Sequence, residues 1–283
     1  MHDQRSHAPL LVCRRPAQGI MARPIVALLS DFGSRDHYAG AMKGVILGTC
    51  PEATLVDISH DIPPHDVQFA ALELAAACRF FPAGCVFLIV VDPGVGSARR
   101  GLAADTGNHR FIAPDNGVLT AVFQETAPRL VVELTERRYA RPTVSRTFEG
   151  RDRFAPAAAW LAKGLQLSAL GRPVSDYRSI DIPVIQVRDE GIDGVVLRID
   201  RFGNIVTNID RKSFERLVTG GKIEIEVGGH PVGRLVETYA DIAADEVCAL
   251  FGSADTLEIA ANKASAVERL ELERGAPVRV ARL

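Results

Sequence analysis

No apolar run in the 283-residue sequence approaches the roughly 20 residues that a membrane-crossing helix needs, which argues against a spanning segment. Net charge is nearly absent as well. The 33 Lys and Arg against 35 Asp and Glu leave a formal −2, too little to attract nucleic acid or an anionic bilayer by field alone. Arginines outnumber lysines but are scattered, as on a solvated surface. Five cysteines (Cys13, Cys50, Cys78, Cys85 and Cys248) contain no CxxC pair and are odd in number. Free, mostly buried thiols in a reducing cytoplasm are the expectation. HxH and HExxH patterns, internal repeats and low-complexity tracts are also missing.

What is present suits a folded globular chain: 47% hydrophobic and 24% charged residues can build a sizeable core. Residues 1–23 lack the sustained apolar stretch of a signal peptide and are expected to be a disordered extension. From 24 to 171 strands and helices alternate. Residues 25–30 (IVALLS) read as a buried strand, and 85–91 (CVFLIVV) as a central strand apolar on both faces. The segments 38–47, 66–80 and 155–165 carry helical spacing. Alternation of this kind predicts an α/β domain with a largely parallel sheet. A polar stretch over 172–190 reads as a linker. Beyond it, 191–283 shows short strands at 194–199, 204–209, 222–227, 234–236, 256–260 and 277–281 with weak helical signal. That pattern predicts a smaller, β-barrel-like C-terminal domain.

Candidate chemistry collects at strand ends. Asp31 follows the first strand, Asp92 the strongest one, and Asp115-Asn116 a third. In open α/β sheets, ligands bind outside the carboxyl ends of strands. A carboxylate there can accept both hydroxyls of a ribose diol; strand-end aspartates also commonly just cap turns. The loop Asp92-Pro93-Gly94-Val95-Gly96 can return Arg99 or Arg100 towards Asp92, a pair able to polarise water or to act as a plain ion pair. Asp57, His60, Asp61, His65 and Asp66 form a rival cluster for a divalent metal at loose spacing. Taken from the residues alone, the reading stops at a two-domain α/β plus β protein with an acidic crevice.

The segments LLSDFGSRDHYAGAMKGV (28–45), DISHDIPPHDV (57–67), VVDPGVGSARR (90–100), APDNGVL (113–119), TFEGRDRFAPAAA (147–159), IDRFGNIVTNI (199–209) and GSADTLEIAANKASA (252–266) go further. In this order and spacing the chain resembles the S-adenosylmethionine hydroxide adenosyltransferase family, relatives of the fluorinating and chlorinating enzymes. The resemblance implies hydrolysis of S-adenosyl-L-methionine (SAM) to adenosine and methionine, by attack of an activated water on ribose C5′. It implies a homotrimer whose sites lie between the N-terminal domain of one subunit and the C-terminal domain of the next. By position, Asp31 holds the ribose hydroxyls and Asp92 lies near ribose and water, with Arg99 completing the water-activating pair. Asn204 reads the adenine, Glu258 lies near the same ligand, and Asp200, Tyr239 and Ser253 are candidates for the methionine end.

One position departs. Hydrolytic members usually carry histidine where this chain has Glu149, which adds negative charge beside Asp92. Glu149 is therefore placed in the catalytic set in a role the resemblance does not define. SAM is substrate, and no metal or redox cofactor is expected. Alternatives are a non-catalytic adenosine or SAM binder, a SAM-dependent halogenase disfavoured by the carboxylates, and a metal hydrolase using His60 and His65.

Overall fold

The computed structural model describes residues 23–218 and 222–283; the amino-terminal extension expected over 1–23, apart from Arg23, lies outside the described residues, as does Cys13. The first layer is a seven-stranded sheet in the order β2-β1-β3-β5-β4-β6-β7. Its strands are β1 (Ile25–Ser30), β2 (Thr54–Ser59), β3 (Val86–Val90), β4 (Gly101–Asp105), β5 (Arg110–Pro114), β6 (Leu130–Leu134) and β7 (Gly171–Pro173). Four helices cover it: α1 (Tyr38–Thr49), α2 (Val67–Cys78), α3 (Thr120–Glu125) and α4 (Ala155–Ala162).

Strand alternation decides which helices go where, because successive side chains point to opposite faces. Val26 and Leu28 of β1 pack with Met42 and Ile46 of α1 and the alanines of α4. Ala27 and Leu29, one residue out of phase, pack with Ala70, Ala71 and Leu74 of α2 and Ala121 of α3. β3 is buried along its whole length, as a strand covered on both faces must be. The alanine-rich faces of α2 and α4 let both helices approach the sheet closely.

The sheet is parallel where β2, β1, β3 and β5 meet, but β4, β6 and β7 run antiparallel. A short hairpin-like return joins β4 to β5, whereas α3 lies between β5 and β6 and α4 between β6 and β7. β4 carries only GLAAD, too little β-branched or aromatic character to stand out in the sequence. The segment expected as a linker is fastened to this layer: Val174, Tyr177, Ile180 and Ile182 pack on its core. Asp115 accepts from Arg178 N at 2.7 Å and Arg100 Nε at 2.8 Å. That carboxylate therefore pins the returning chain instead of joining Asp31 and Asp92.

The second unit is an eight-stranded antiparallel sheet that curls into a half-barrel. It comprises β8 (Gln186–Arg188), β9 (Gly191–Ile199), β10 (Ile205–Asp210), β11 (Ile223–Val227), β12 (His230–Pro231), β13 (Val247–Phe251), β14 (Thr256–Ala261) and β15 (Pro277–Arg282). Its interior holds Ile192, Val196, Ile205, Ile209, Leu257 and Val280. Two short helices close it, α5 (Arg211–Val218) and α6 (Ala266–Leu270), where the sequence shows little helical signal. Each begins at a side chain that accepts a backbone N–H: Asp210 from Ser213 N at 2.8 Å and Ser265 from Glu268 N at 3.2 Å, satisfying a donor that a helix start leaves orphaned. The strand expected at 234–236 is reduced to a single bridge between Leu235 and Ala249.

Helix α2 fastens the two units. Arg274 reaches Asp66 Oδ2 at 2.5 Å and Gln68 Oε1 at 2.6 Å, and Arg198 of β9 lies 2.9 Å from Glu73 Oε1. Arg79 Nη2 adds a long contact to the Ser253 carbonyl at 3.5 Å. Among the described residues no helix is long and apolar enough to cross a membrane, and Cys50, Cys78, Cys85 and Cys248 are buried free thiols.

Candidate active site

Parallel pairing of β1 with β3 opens both carboxyl ends on one edge of the sheet. Asp31 directly follows β1 and Asp92 follows β3 by two residues. Both line a single cavity of about 290 Å³, shared with Phe32, Tyr38, His65, Phe148 and Glu149.

Asp31 is aimed by its neighbours. His65 N donates to Asp31 Oδ2 at 2.9 Å from a left-handed backbone, φ +67°. The turn that carries Asp31 is held by His60, whose carbonyl accepts from Gly33 N at 2.7 Å. The His60 ring bridges Ser30 Oγ, 2.7 Å from Nδ1, and Asp57 Oδ1, 3.1 Å from Nε2. Lys43 Nζ completes the chain on Asp57 Oδ2 at 2.6 Å. Burial would raise the Asp57 carboxyl, but the Lys43 and His60 hydrogen bonds outweigh it and hold the group below its ordinary value. Both His60 nitrogens are thus committed to shaping the Asp31 turn. Among the described residues no three His, Cys, Asp or Glu side chains gather as a metal site.

Asp92, Arg99 and Glu149 meet. Arg99 grips Asp92 with two bonds, Nε to Oδ1 at 2.9 Å and Nη2 to Oδ2. The same Nη2 lies 2.6 Å from Glu149 Oε2, while Nη1 donates to the Arg100 carbonyl at 3.3 Å. Every guanidinium nitrogen therefore has a partner. Arg99 stands behind the cavity wall, over the Phe154 ring, and the two carboxylates face the cavity in its place. Glu149 precedes a π-helical turn, Gly150–Phe154, a rare geometry often found at functional sites. Asp152 anchors that turn. It is fully buried and accepts from Arg151 Nε at 2.7 Å and Ser145 N at 2.8 Å. Burial alone would raise its carboxyl, but these bonds hold it below the ordinary carboxylate range.

Phe32, Tyr38 and Phe148 form the apolar wall. Their ring centroids lie 5.1 to 5.7 Å apart, with both contacts of Phe148 edge-on, the arrangement favoured by ring quadrupoles.

Asp200, Asn204, Tyr239, Ser253 and Glu258 line a different cavity of about 890 Å³, which shares no lining residue with the first. Asp200 closes the β9–β10 turn, accepting from Phe202 N at 2.8 Å and Asn204 N at 2.9 Å, and Asn204 Nδ2 donates to its other oxygen at 2.8 Å. Gly203 sits at φ +82°, and a Cβ there would meet Ser265 Oγ at 2.2 Å, so the turn admits only glycine. Burial pushes the Glu258 carboxyl up and the Asp200 charge adds to it. Tyr239, 3.4 Å away, is likewise pushed up by burial and by Glu258. One chain therefore carries two separate cavities: one at the carboxyl ends of β1 and β3, the other on the half-barrel.

Two family models match this chain, the SAM hydroxide adenosyltransferase N-terminal domain over residues 26–171 and the C-terminal domain over 194–279. The chain belongs to the SAM hydroxide adenosyltransferase family. It is 40% identical over 266 residues to the (R)-S-adenosyl-L-methionine hydrolase of Thermus thermophilus, covering 91% of this chain and 99% of the relative. A fluorinase of Actinopolyspora mzabensis is 30% identical, covering 92% and 98% of the two chains. The crystal structure of an uncharacterized conserved protein from Thermotoga maritima superposes with a TM-score of 0.85 at 35% identity, covering 91% of this chain and all of that one.

Several residues that shape this family member's cavities escaped the sequence reading. Phe202, 77% exposed, lines the larger cavity; an apolar ring inside a DRFGN turn is its one signal. Arg153 holds Glu149 Oε1 at 3.0 Å, and the i,i+4 spacing of Glu149 and Arg153 foreshadows that pair. The left-handed conformation of His65 and the contact of Arg198 with Glu73 leave no local trace in the sequence.

Proposed function

We propose that this chain is a hydrolase of S-adenosyl-L-methionine, forming adenosine and methionine, with its water placed between Asp92 and Glu149. The observation that carries the reading is the shared cavity of Asp31 with these two carboxylates, in a chain aligned almost end to end with a relative named as such a hydrolase. Asp31 accepts the ribose hydroxyls. Water between Asp92 and Glu149 donates one O–H to each, leaving a lone pair directed at C5′. Arg99 does not touch that water; it fixes both acceptors in advance, so little reorganisation remains at the moment of reaction.

Attack in line with the C5′–S bond expels a neutral thioether, so the leaving group needs no acid. Orientation supplies much of the acceleration, roughly 7–11 kcal/mol where reacting atoms are held well aligned. Phe32, Tyr38 and Phe148 keep bulk water from the sulfonium, whose positive charge the neighbouring carboxylates favour.

The half-barrel residues complete the site from a neighbouring subunit of a homotrimer, Asn204 toward adenine and Asp200, Tyr239 and Ser253 toward methionine. The separateness of the two cavities within one chain supports this arrangement. The relative's name specifies the R configuration at sulfur, and the same preference is proposed here. Halide transfer is disfavoured because Asp92 and Glu149 repel an anion and every Arg99 nitrogen is already engaged.

Incubation with each sulfonium epimer, followed by chromatography, tests the reading. Adenosine and methionine should appear in equal amounts, faster from the R epimer. Binding without turnover of either epimer would reduce the chain to a binding module. Mixing Asp92→Asn subunits with Asn204→Ala subunits should restore activity if sites are shared between chains.

A further inference from the structure

Glu149 belongs to two cavities at once. One is the 290 Å³ pocket with Asp31 and Asp92; the other, of about 620 Å³, lies beside Glu133, Arg137, Tyr139, Arg141 and Arg153. Glu149 is the one lining residue common to both, and its side chain is only 14% exposed.

Its two oxygens are held differently. Oε1 accepts from Arg153 Nη1 at 3.0 Å, and Arg153 Nη2 is tied to the Leu134 carbonyl at 2.7 Å. Oε2 is buried and close to Arg99, yet it accepts no aligned hydrogen bond from the protein. Oε2 thus rests against the Arg99 charge, while Oε1 is held by Arg153 from the side of the second cavity. Asp92, by contrast, already has both oxygens bonded to Arg99. Arg153 also balances charge: Asp92, Arg99, Glu149 and Arg153 together sum to zero.

The hydrolysis must dispose of one proton. As the water oxygen bonds to C5′, the C5′–S electron pair leaves on sulfur; one water proton stays as the product hydroxyl and the other departs. We propose that Glu149 takes the departing proton, that the second cavity is its route to solvent, and that Arg153 is the residue positioning the carboxylate in the wall between the cavities. The inference rests on the hydrolase reading above. Protonated Glu149 passes its proton to water in the second cavity and is restored for the next turnover.

Steady-state kinetics of the full chain on the R epimer, with Arg153→Met and Arg153→Lys compared, test this. Arg153→Met should lower kcat by about tenfold or more, with KM held within about twofold, because the base is misplaced while binding survives. Arg153→Lys should recover part of the loss. Ala140→Trp, which places a bulky ring in the second cavity at a residue that does not line the first, should also lower kcat alone, and it carries the test if Arg153→Met melts early. Wild-type kcat in both Arg153→Met and Ala140→Trp would overturn the proton route and leave the hydrolase reading standing. No adenosine from the unaltered protein would overturn both.

Discussion

The His65 backbone N–H donates to Asp31 Oδ2 at 2.9 Å while His65 itself occupies φ +67°. The ring contributes little: it is 73% exposed, with Nδ1 4.0 Å from the carboxylate, and exposed pairs of this kind add little. The backbone does the aiming. His65→Gly should therefore retain affinity for adenosine, since glycine adopts this conformation freely. His65→Val should cost about 1–2 kcal/mol of stability and weaken adenosine binding, measured by calorimetry. Equal loss of affinity in the two variants would show that the histidine ring, not the backbone, orients Asp31.

Asp152 holds the turn that carries Glu149, and its folded-state pKa lies below its ordinary value. Its stabilisation is thus fully present above the unfolded pKa, about 3.9, and is lost as pH falls through the folded value. Asp152→Asn should destabilise the protein by about 1–3 kcal/mol near neutral pH, with the gap to wild type closing in acid. Melting curves from about pH 3 to about pH 7 check this; a gap independent of pH would deny the carboxylate its charged role.

Glu258 has the opposite sign. Burial and Asp200 raise its folded-state pKa, so the stability it confers is present below its unfolded value and lost as pH rises through the folded one. Glu258→Gln removes that ionisation. The variant should lose least, or gain most, relative to wild type near neutral pH and compare less favourably in acid, read from melts at about pH 4 and about pH 8. A constant difference would contradict burial of an ionising carboxyl.

The positions most legible in the sequence were those set by strand chemistry. Asp31 and Asp92 follow apolar runs whose burial forces strands, and parallel pairing of those strands brings their ends together. Glu149 and Arg99 were legible through the resemblance, and they do meet. What stayed hidden depends on contacts distant in sequence or on backbone conformation: the Ser30–His60–Asp57 chain, the turn at His65, and the approach of Arg198 to Glu73. His60 is instructive, since its spacing with Asp57 and Asp61 suggested a metal, whereas the fold uses both ring nitrogens to hold the turn before Asp31. The antiparallel β4 was missed because GLAAD lacks the residues that announce a strand; pairing with β5 and β6 makes it one.

The central claim is that water, placed by Asp92 and Glu149, attacks C5′ of the substrate. Turnover of the R epimer in oxygen-18 water, with mass spectrometry of the nucleoside, tests it most directly. The account predicts adenosine carrying one oxygen-18 at the 5′ position, with loss of turnover in Asp92→Asn. Adenosine released without the label, or undiminished turnover in Asp92→Asn, would contradict it.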